Sequence, residues 1–356
     1  MILMGIREYK RSQNLVTWLN ATFHLADQIL SSGPISNIFA NHNHSNLSDG
    51  MFSPESWLNR TINFIKILNH LSKTKFDSKW SETFNLSISD HNTFNGSIEF
   101  LKEKEKMLLQ EQNIKYLKKI GSSISAEITS AKGRHWLLEV FPKGNLSINS
   151  TIPEYLGYHR EDWKRTEKYF DIIAKNLVNE KVVKGISLAR KYFEDQNFEV
   201  LSIVPHPMIS IQSLTKQKIA KLTDINLIDG IEWISWKSKL KMEKLRKHYF
   251  NRIPLFSNSD SHDCILYALN MINFKTTNWV SATQKYFDLI RNNHSTANNY
   301  LQYVHLPFTQ YSNKKTFNEV LSLLYYVLNL QGWREIGYLP KHEWIKGLRQ
   351  HFTYNY

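Results

Sequence analysis

Residues 39–50, Phe-Ala-Asn-His-Asn-His-Ser-Asn-Leu-Ser-Asp-Gly, contain two histidines and an aspartate that could bind a metal ion. His42 and His44 are two positions apart, and side chains at that spacing lie on the same side of a strand. Asp49 follows in the next loop and could add a carboxylate ligand. A His-x-His pair alone is more often an ordinary pair of core or surface histidines. The prediction of a metal site therefore depends on what the other strand ends carry.

Ligand-type side chains recur where other predicted strands end, which is where α/β barrels keep their active sites. The strand predicted at Asn85–Ser89 is followed by Asp90 and His91, and Glu127 lies at the end of another predicted strand. His206 stands between two prolines, which restrict the backbone around it. The complete set of candidate metal ligands is six histidines, two aspartates and one glutamate: His42, His44, Asp49, His91, Glu127, His135, His206, Asp260 and His262.

These six histidines stand out by their positions and not by abundance. The chain has 14 histidines, and the other eight lack a comparable setting at the end of a strand. Nitrogen and oxygen ligands without a thiolate suit zinc, manganese or iron. Nine ligands are too many for one ion, so they predict a centre in which bridging groups are shared between ions. We expect two or three divalent metal ions (Mn, Zn or Fe) as cofactors.

The segments that position these residues alternate between strand-like and helix-like patterns. An amphipathic helix is predicted at 12–31, and the short connection 129–134 predicts a hairpin or tight connection between two strands. Strands separated by helices indicate parallel pairing. Seven strands are predicted, at Ile35–Ala40, Asn85–Ser89, Ser122–Ile128, His135–Phe141, Val200–Val204, Ile228–Ile234 and Pro254–Ser257.

This pattern predicts an α/β protein, and seven strands favour a barrel over an open sheet. Residues 145–198 are long enough for two or three helices, and we interpret them as a helical insertion that covers the barrel mouth. Two further helices are predicted near the end of the chain, at Thr316–Leu330 and His342–Phe352. The expected organisation is a helical N-terminal extension at 1–36, a barrel at 37–293 with the insertion at 145–198, and a helical C-terminal extension at 294–356.

Composition limits the class of protein. Hydrophobic residues make up 42% and aromatic residues 13% of the 356 positions, which is enough for a packed interior and excludes a disordered chain. Cys264 is the single cysteine, so an intramolecular disulfide is impossible. The longest apolar run, Val320–Leu330, is too short to cross a bilayer, and the N-terminus lacks the pattern of a secretory signal. We expect a cytoplasmic protein with no membrane partner.

Lysine and arginine outnumber aspartate and glutamate by 45 to 32, for a formal net charge of +13. This surplus favours anionic partners such as nucleotides or single-stranded nucleic acid, and a compositional bias of the genome explains it equally well. Lys237, Lys241 and Lys244 could follow a phosphodiester backbone, with Trp233 and Trp236 stacking on bases. A solvated helix face and core packing explain these five residues more simply.

Five motifs occur in order between about Ile38 and Asp263: His-x-His with Ser-Asp-Gly, Ser-Asp-His-Asn-Thr, Ala-Glu-Ile, Pro-His-Pro and Ser-Asp-Ser-His. In content and order they resemble the PHP family, the polymerase and histidinol phosphatase superfamily of metal-dependent phosphoesterases. Each motif alone is unspecific, but the ordered set is highly specific. Three positions depart from the family pattern, since Ala40, Asn92 and Asn258 stand where Asp, Asp and Gly are common.

The resemblance implies a distorted (β/α)7 TIM-like barrel with three metal ions at its C-terminal mouth. We expect Glu127, Asp260 and His91 to be the catalytic residues. The implied ligand sets are His42, His44, Glu127 and Asp260 for the first ion, Glu127, His135 and His206 for the second, and Asp49, His91 and His262 for the third.

The function that the resemblance implies is hydrolysis of a phosphate ester by a metal-activated hydroxide, with a nucleotide or an oligonucleotide end as substrate. Arg160, Lys164 and Arg165 are candidate phosphate-binding residues, and His159 or Tyr158 is a candidate proton donor, although a solvated helix face explains each more simply. One alternative is a hydrolase of carboxyl, amide or carbamate esters. Another is a non-catalytic, metal-stabilised binding module, against which the complete ligand set argues. The oligomeric state stays open.

Overall fold

The computed structural model describes residues 2–32, 37–75, 83–131, 133–144, 146, 149–207, 213–233, 239–276, 278–292 and 296–306. These residues form a mixed α/β protein with ten α-helices and two five-stranded sheets. The helices are α1 (Ile2–Ser31), α2 (Pro54–Lys75), α3 (Asn95–Leu109), α4 (Ile114–Leu117), α5 (Ile152–Tyr155), α6 (Trp163–Leu177), α7 (Val182–Glu194), α8 (Lys216–Asp224), α9 (Lys239–Tyr249) and α10 (Trp279–Asn292). The strands are β1 (Asn37–Asn43), β2 (Thr83–Ile88), β3 (Ile120–Gly121), β4 (Ile124–Ser130), β5 (Arg134–Pro142), β6 (Phe198–Val204), β7 (Gly230–Glu232), β8 (Leu255–Phe256), β9 (Ala268–Ile272) and β10 (Leu301–His305).

The strand orders of the two sheets are β10-β9-β1-β2-β3 and β4-β5-β6-β7-β8. In the first sheet β1, β2 and β3 are parallel. Strand β9 is antiparallel to β1, and β10 is antiparallel to β9. In the second sheet β6, β7 and β8 are parallel, whereas β5 is antiparallel to both β4 and β6. Within the described residues, continuous ladders join strands only inside each sheet. The closed (β/α)7 TIM-like barrel is therefore not confirmed.

Two single bridges connect the sheets. Asn43, at the end of β1, pairs with Ser261 beyond β8, and His91, beyond β2, pairs with Glu127 in β4. Both bridges are parallel, so the C-terminal ends of β1, β2, β4, β6, β7 and β8 lie at one end of the molecule. This end, which we call the ligand end, is where the predicted metal ligands are found.

All seven predicted strands are present, with their ends shifted by a few residues. The predicted hairpin is confirmed, because β4 and β5 pair antiparallel from Ile124 opposite Val140 to Ser130 opposite Arg134. Parallel pairing of strands separated by helices is wrong for β5 and β6, which pair antiparallel although α5 to α7 lie between them. The connection after Ser130 is too short for a crossover, so it reverses the direction of β5 relative to β4 and β6. Strands β3, β9 and β10 lie outside the seven predicted segments.

The insertion between β5 and β6 forms α5, α6 and α7, as the helical prediction requires. Its buried side chains, such as Phe170 and Ile186, pack with Ile128 and Leu138 of the second sheet. These strand residues alternate with Glu127, so the helices cover the opposite face of the sheet. In its described part the insertion thus flanks the sheet, and the expectation that it covers the mouth stays a prediction. The apolar face of the sheet explains this position, because its side chains must pack against other residues to be shielded from water.

A helix near the end of the described chain packs between the two sheets. Side chains of α10 share a buried cluster with residues from β1 and β9 of the first sheet and β5, β6 and β8 of the second. The ring of Tyr286 stacks on Phe39 with centroids 4.3 Å apart, and its hydroxyl accepts a hydrogen bond from Asn41 Nδ2 at 2.8 Å. Helix α10 therefore supports β1 directly below its ligand residues.

The predicted N-terminal helix is confirmed as α1 and contacts the loop after β8. Asn14 Nδ2 donates to the carbonyl oxygen of Asp263 at 3.1 Å. Arg60 of α2 donates to Asn14 Oδ1 at 2.6 Å and to the carbonyl oxygen of Cys264 at 3.1 Å. Helices α1 and α2 thus fix the loop 260–264, which carries two candidate ligands.

The helices predicted at Thr316–Leu330 and His342–Phe352 lie outside the described residues. The predicted division of the chain at 36/37 and 293/294 stays a prediction. Among the described helices, none combines the length and the apolar character needed to cross a bilayer.

Glu139 of β5 is a fully buried carboxyl on the same side of the strand as Leu137 and Phe141. Its Oε2 accepts hydrogen bonds from Ser123 Oγ at 3.2 Å and Asn41 Nδ2 at 3.4 Å. Burial raises the pKa of Glu139 to about 8, and these hydrogen bonds oppose the shift only in part. The folded protein therefore contains a neutral carboxyl at pH 7.

We predict that Glu139→Gln gains stability relative to the wild type as the pH rises. The folded pKa lies above the unfolded value, so the wild type has its full stability below about pH 4.5 and loses it progressively up to about pH 8. Each pKa unit corresponds to about 1.4 kcal/mol, which gives a relative gain of a few kcal/mol. Urea unfolding of both proteins at several pH values measures it. An unchanged difference between acidic and alkaline pH contradicts a buried neutral carboxyl.

Candidate metal centre

Glu127 lies at the centre of the ligand end. Its carboxylate is 1% exposed, and five histidine rings surround it. Oε1 lies 2.9 Å from His135 Nδ1 and 2.8 Å from His206 Nε2. Oε2 faces His42 Nε2 at 3.4 Å, His44 Nε2 at 3.6 Å and His91 Nδ1 at 3.3 Å.

Asp49 is the centre of a second set of contacts. Its Oδ2 lies 2.9 Å from His262 Nε2 and 3.3 Å from His91 Nε2. Its Oδ1 lies 3.3 Å from His44 Nδ1. Since His91 contacts Glu127 through its other ring nitrogen, it connects the two carboxylates.

Asp260 joins the first set, with Oδ1 at 3.6 Å from His42 Nε2 and 3.4 Å from His44 Nε2. All nine predicted ligands are therefore brought together. Their roles as ligands of particular ions stay predictions. Ligand atoms that lie within 4.8 Å of one another form three groups, namely His42, His44 and Glu127; His91, Glu127 and His135; and His44, Asp49, His91 and His262.

The nine residues divide into a buried floor and an open rim. His42 and His44 are fully buried and form the floor together with Glu127, His135 and His91. The rim is formed by side chains that are 15–29% exposed: Asp49, His206, Asp260 and His262. A substrate can therefore approach from the rim side, while the floor excludes water.

Backbone conformation explains how three of these side chains turn inward. His42, His206 and Asp260 have φ values of 57°, 28° and 45°, in the left-handed region that non-glycine residues seldom adopt. The β1–β2 register also shifts between Ala40 and Asn43. The simple alternation of a regular strand is therefore not what brings His42 and His44 together. Residues in this conformation cluster at functional sites.

Asp90 determines the path of the loop between His44 and Asp49. It accepts hydrogen bonds from the Ser45 backbone N–H at 2.6 Å, Ser45 Oγ at 2.5 Å and Ser48 Oγ at 2.7 Å. Helix α3 begins close to this carboxylate, and a Cβ atom at Gly96 would lie 2.0 Å from Asp90 Oδ2. Glycine is therefore required there for Asp90 to reach the loop.

Acceptors outside the cluster determine which nitrogen of two histidines faces inward. In neutral His262, Nδ1 donates to the carbonyl oxygen of Asp260 at 3.2 Å, so Nε2 keeps its lone pair. Ser213 Oγ donates its hydrogen to the carbonyl oxygen of His206, so it accepts from His206 Nδ1 at 3.2 Å. The Nε2 atom of His206 therefore also keeps its lone pair.

These lone pairs face carboxylates, which an interposed cation would satisfy. The Nε2 atoms of His206 and His262 lie 2.8 and 2.9 Å from oxygens of Glu127 and Asp49. His42 Nε2 and both ring nitrogens of His44 are buried without a hydrogen-bond partner in the described residues. Lone pairs and carboxylates at these distances repel unless a proton or a metal ion lies between them. The donor set therefore fits divalent metal ions.

Burial is the largest influence on the pKa of each floor residue. It lowers the pKa of His44 to about 4, so this imidazole stays neutral and able to bind a metal at pH 7. Burial also acts to lower the pKa of His42, but Glu232, Glu127 and Asp260 outweigh it and hold the pKa well above the usual value. Burial acts to raise the pKa of Glu127, whereas the histidine rings around it hold that pKa well below its usual range.

The basic residues predicted to bind phosphate lie at or just before the start of α6, and two of them contact other protein side chains. Arg160 Nε bonds Glu105 Oε1 of α3 at 2.5 Å. The guanidinium of Arg165 lies 4.3 Å from the ring centroid of Tyr158, and Lys164 is exposed. The structure brings the nine ligands together, and it places Arg160 just before α6 and the other two cations in the first turn of that helix. Their role in substrate binding stays a prediction. The other proton-donor candidate, His159, is exposed beside them.

The basic stretch after β7 is described only in part. Trp233 is half-buried, with its ring 5.3 Å from that of Tyr303 and the guanidinium of Arg246 5.6 Å away. Lys244 is exposed on α9. The predictions for Trp236 and Lys237 lie outside the described residues, and nothing is described of the Lys241 side chain.

Several residues that support the ligands were not predicted to be functional from the sequence. Asp90 stands next to His91, and Glu232 ends β7, so both shared the strand-end signal that selected the ligands. Ser213 carries no such signal, because it stands seven positions after His206 and follows none of the predicted strands directly. Asn92 departs from the family pattern but binds the end of β4, accepting from the Thr129 N–H at 2.7 Å.

Known proteins offer only distant similarity to this chain. It matches no family model and no curated protein. Three solved structures resemble it: a candidate metal-dependent phosphoesterase from Bifidobacterium adolescentis (13% identity, TM-score 0.36, covering 64% of this chain and 88% of that one), PsfC from Pseudomonas syringae (11%, 0.42, 82% and 97%) and an amidohydrolase from Chromobacterium violaceum (13%, 0.35, 63% and 87%). At TM-scores below 0.5 these similarities decide neither family nor function. The resemblance to the PHP family rests on the motifs.

We predict that Glu127→Gln loses metal binding, whereas Glu139→Gln retains it. Both are buried glutamates on adjacent strands, but only Glu127 contacts the histidines. The measurements are metal content and the rise in melting temperature on adding Mn²⁺ or Zn²⁺, which stabilises any protein that binds it in the folded state. Equal metal-induced shifts in the two variants contradict a centre organised by Glu127.

We also predict that metal affinity falls as the pH is lowered from about 7.5 to 5. The pKa values of His42 and His91 are raised, so these rings hold their protons to a higher pH than ordinary histidines do, and a proton competes with a metal for the same nitrogen. Metal binding should therefore release protons at neutral pH. Calorimetric titration in two buffers of different ionisation enthalpy counts them. Binding that is independent of pH and buffer would be incompatible with this.

Proposed function

We propose that the protein is a metal-dependent phosphoesterase whose substrate is a nucleotide or the end of an oligonucleotide. The observation that carries the proposal is the convergence of six imidazoles and three carboxylates in overlapping groups at one end of the strands. The ordered motifs that resemble the PHP family add support. The proposal includes a barrel-like arrangement of β1, β2 and β4 to β8, which the bridges at Asn43 and His91 favour.

Charge favours an anionic substrate. The cluster contains three carboxylates, Asp49, Glu127 and Asp260, and two or three divalent ions would carry four or six positive charges. With neutral histidines the loaded centre is therefore positive. The formal net charge of +13 acts in the same direction at longer range. A phosphate ester fits such a centre better than a neutral ester does.

The bound ions would supply Lewis-acid activation of water and neutralise charge at the phosphoryl group. The protein supplies the geometry for this chemistry. Glu127 stays ionised in the floor and keeps five rings around one carboxylate. His91 connects Glu127 with Asp49. Asp260 is the most exposed rim residue and stands where the substrate would arrive. We assign the catalytic roles to Glu127, His91 and Asp260 for these reasons.

We predict that His91→Ala and Asp260→Ala each lower turnover by about 100-fold or more with little change in fold. His70→Ala is the matched control, because His70 is exposed on α2 and lies outside the cluster. Release of p-nitrophenol from p-nitrophenyl phosphate and bis-p-nitrophenyl phosphate, with added Mn²⁺, measures turnover. Circular dichroism checks the fold. Wild-type turnover in either cluster variant contradicts the catalytic assignment.

A parallel assay with p-nitrophenyl acetate separates the alternatives. Hydrolysis of the carboxyl ester but of neither phosphate ester would replace the phosphoesterase by a carboxyl-ester hydrolase at the same centre. Bound metal without hydrolysis of any of them would favour the binding module. A panel of nucleotides and short RNAs then narrows the substrate class.

A further inference from the structure

Glu232 contacts two of the candidate ligands without belonging to the nine. Its Oε1 lies 2.5 Å from His42 Nδ1, and its Oε2 accepts from the backbone N–H of His206 at 2.6 Å. The carboxylate is 4% exposed and ends β7. One buried side chain thus joins two ligands that lie 164 positions apart in the sequence.

We propose that Glu232 is a positioning residue that fixes His42 and His206 for metal binding, an inference that rests on the metal centre of the proposed function. A carboxylate only accepts hydrogen bonds, so in the neutral, metal-binding form of His42 the Nδ1 atom carries the hydrogen and Nε2 presents its lone pair. That Nε2 atom faces Glu127 and Asp260 at 3.4 and 3.6 Å. Glu232 therefore selects the tautomer in which His42 can bind an ion inside the cluster.

The contact with His206 acts on the backbone. His206 has a φ of 28°, an unfavourable conformation for a residue with a side chain. The hydrogen bond from its N–H to Glu232 stabilises this conformation, which turns the imidazole towards Glu127. Glu232 thus contacts His42, which belongs to the group with His44 and Glu127, and His206, which lies beside the group of His91, Glu127 and His135. It thereby sets the separation of the His42 and His206 rings.

Asn258 supports Glu232 in turn. Its Nδ2 donates to Glu232 Oε1 at 3.0 Å, and its Oδ1 accepts from Asn270 Nδ2 at 3.1 Å. Asn270 also accepts from the Ser257 N–H at 2.7 Å, so the chain of hydrogen bonds reaches β9. Asn258 stands where the family pattern commonly has Gly, and a glycine could not make these contacts. The departure therefore has a structural role in this protein.

The experiment measures Co²⁺ affinity and the visible absorption of bound Co²⁺, which reports ligand geometry, in the wild type and five variants of the full chain. Glu232→Ala should weaken Co²⁺ binding by about 10- to 100-fold and change the spectrum. Glu232→Gln should fall between it and the wild type, because its amide oxygen can still accept from His42 while its amide nitrogen cannot accept from the His206 N–H.

Asp229→Asn is the matched control for a purely structural effect. Asp229 is a buried carboxylate at the start of β7, and it accepts from the Ser202 N–H at 2.7 Å and from Arg190 at 3.0 Å. The Asp229→Asn protein should melt at a lower temperature and bind Co²⁺ like the wild type. A loss of affinity in this control equal to that in Glu232→Ala would overturn the positioning role.

A double variant tests the connection to Asn258. If Asn258 acts through Glu232, Asn258→Ala weakens Co²⁺ binding in the wild type and has no further effect in Glu232→Ala. Wild-type affinity and spectrum in Glu232→Ala overturn the inference and leave the metal centre in place. Failure of the wild type itself to bind Co²⁺ instead overturns the proposed function on which the inference rests.

Discussion

A single buried carboxylate, Glu127, imposes the main constraint on this structure. An ionised carboxyl away from water is costly unless positive charge or hydrogen-bond donors surround it. Five histidine rings surround Glu127, and a neutral imidazole can offer only one N–H. The nitrogens of His42, His206 and His262 that carry a hydrogen are directed outward, to Glu232, Ser213 and a backbone carbonyl. With neutral rings, the inward nitrogens of these three histidines therefore have lone pairs, and metal ions fit between them and the carboxylates.

The fold satisfies this constraint by aligning the ends of strands from both sheets. Parallel bridges place the ends of β1 and β2 beside β8 and β4. The reversal of β5 contributes as well, since it puts His135 at the start of a strand at the same end where the parallel strands finish. Asp90 and Asn92 reinforce the alignment by binding the loop after β1 and the end of β4. The aligned strand ends thus bring ligands from distant segments together, and few contacts outside the sheets are needed to hold them there.

The sequence could predict the ligands because position in a strand limits where a side chain can point. Histidines and carboxylates at the ends of parallel strands must gather at one edge of the sheet, whatever the details of packing. The seven strands, the hairpin and the N-terminal helix followed from apolar periodicity in the same way. Asp90 and Glu232 shared the strand-end signal, but Asp90 binds the loop after β1 and Glu232 binds two ligands. Periodicity does not distinguish a ligand from the residue that orients it.

Other features depend on contacts between distant residues, which local sequence patterns do not predict. The left-handed backbone of His42 interrupts the alternation on which the His-x-His argument relied, and the two rings meet for a different reason. The insertion at 145–198 was expected at the mouth because of its length between two consecutive strands. Its apolar side chains decide where its helices pack, since Phe170 and Ile186 are fully buried against the second sheet. Residues such as Arg160 then remain on the outer surface with partners of their own.

The same constraint connects metal binding with folding. Without ions, the floor contains an ionised Glu127 and a fully buried, neutral His44, so the desolvation cost of the cluster is met only in part. Free energy of metal binding to the folded chain adds directly to its stability, because the unfolded chain has no preformed site. Among the described residues the floor is buried and the rim is exposed, so ions would enter past Asp49 and Asp260, where the proposed substrate would also approach. On this proposal, stability, metal loading and substrate access depend on the same side of the cluster.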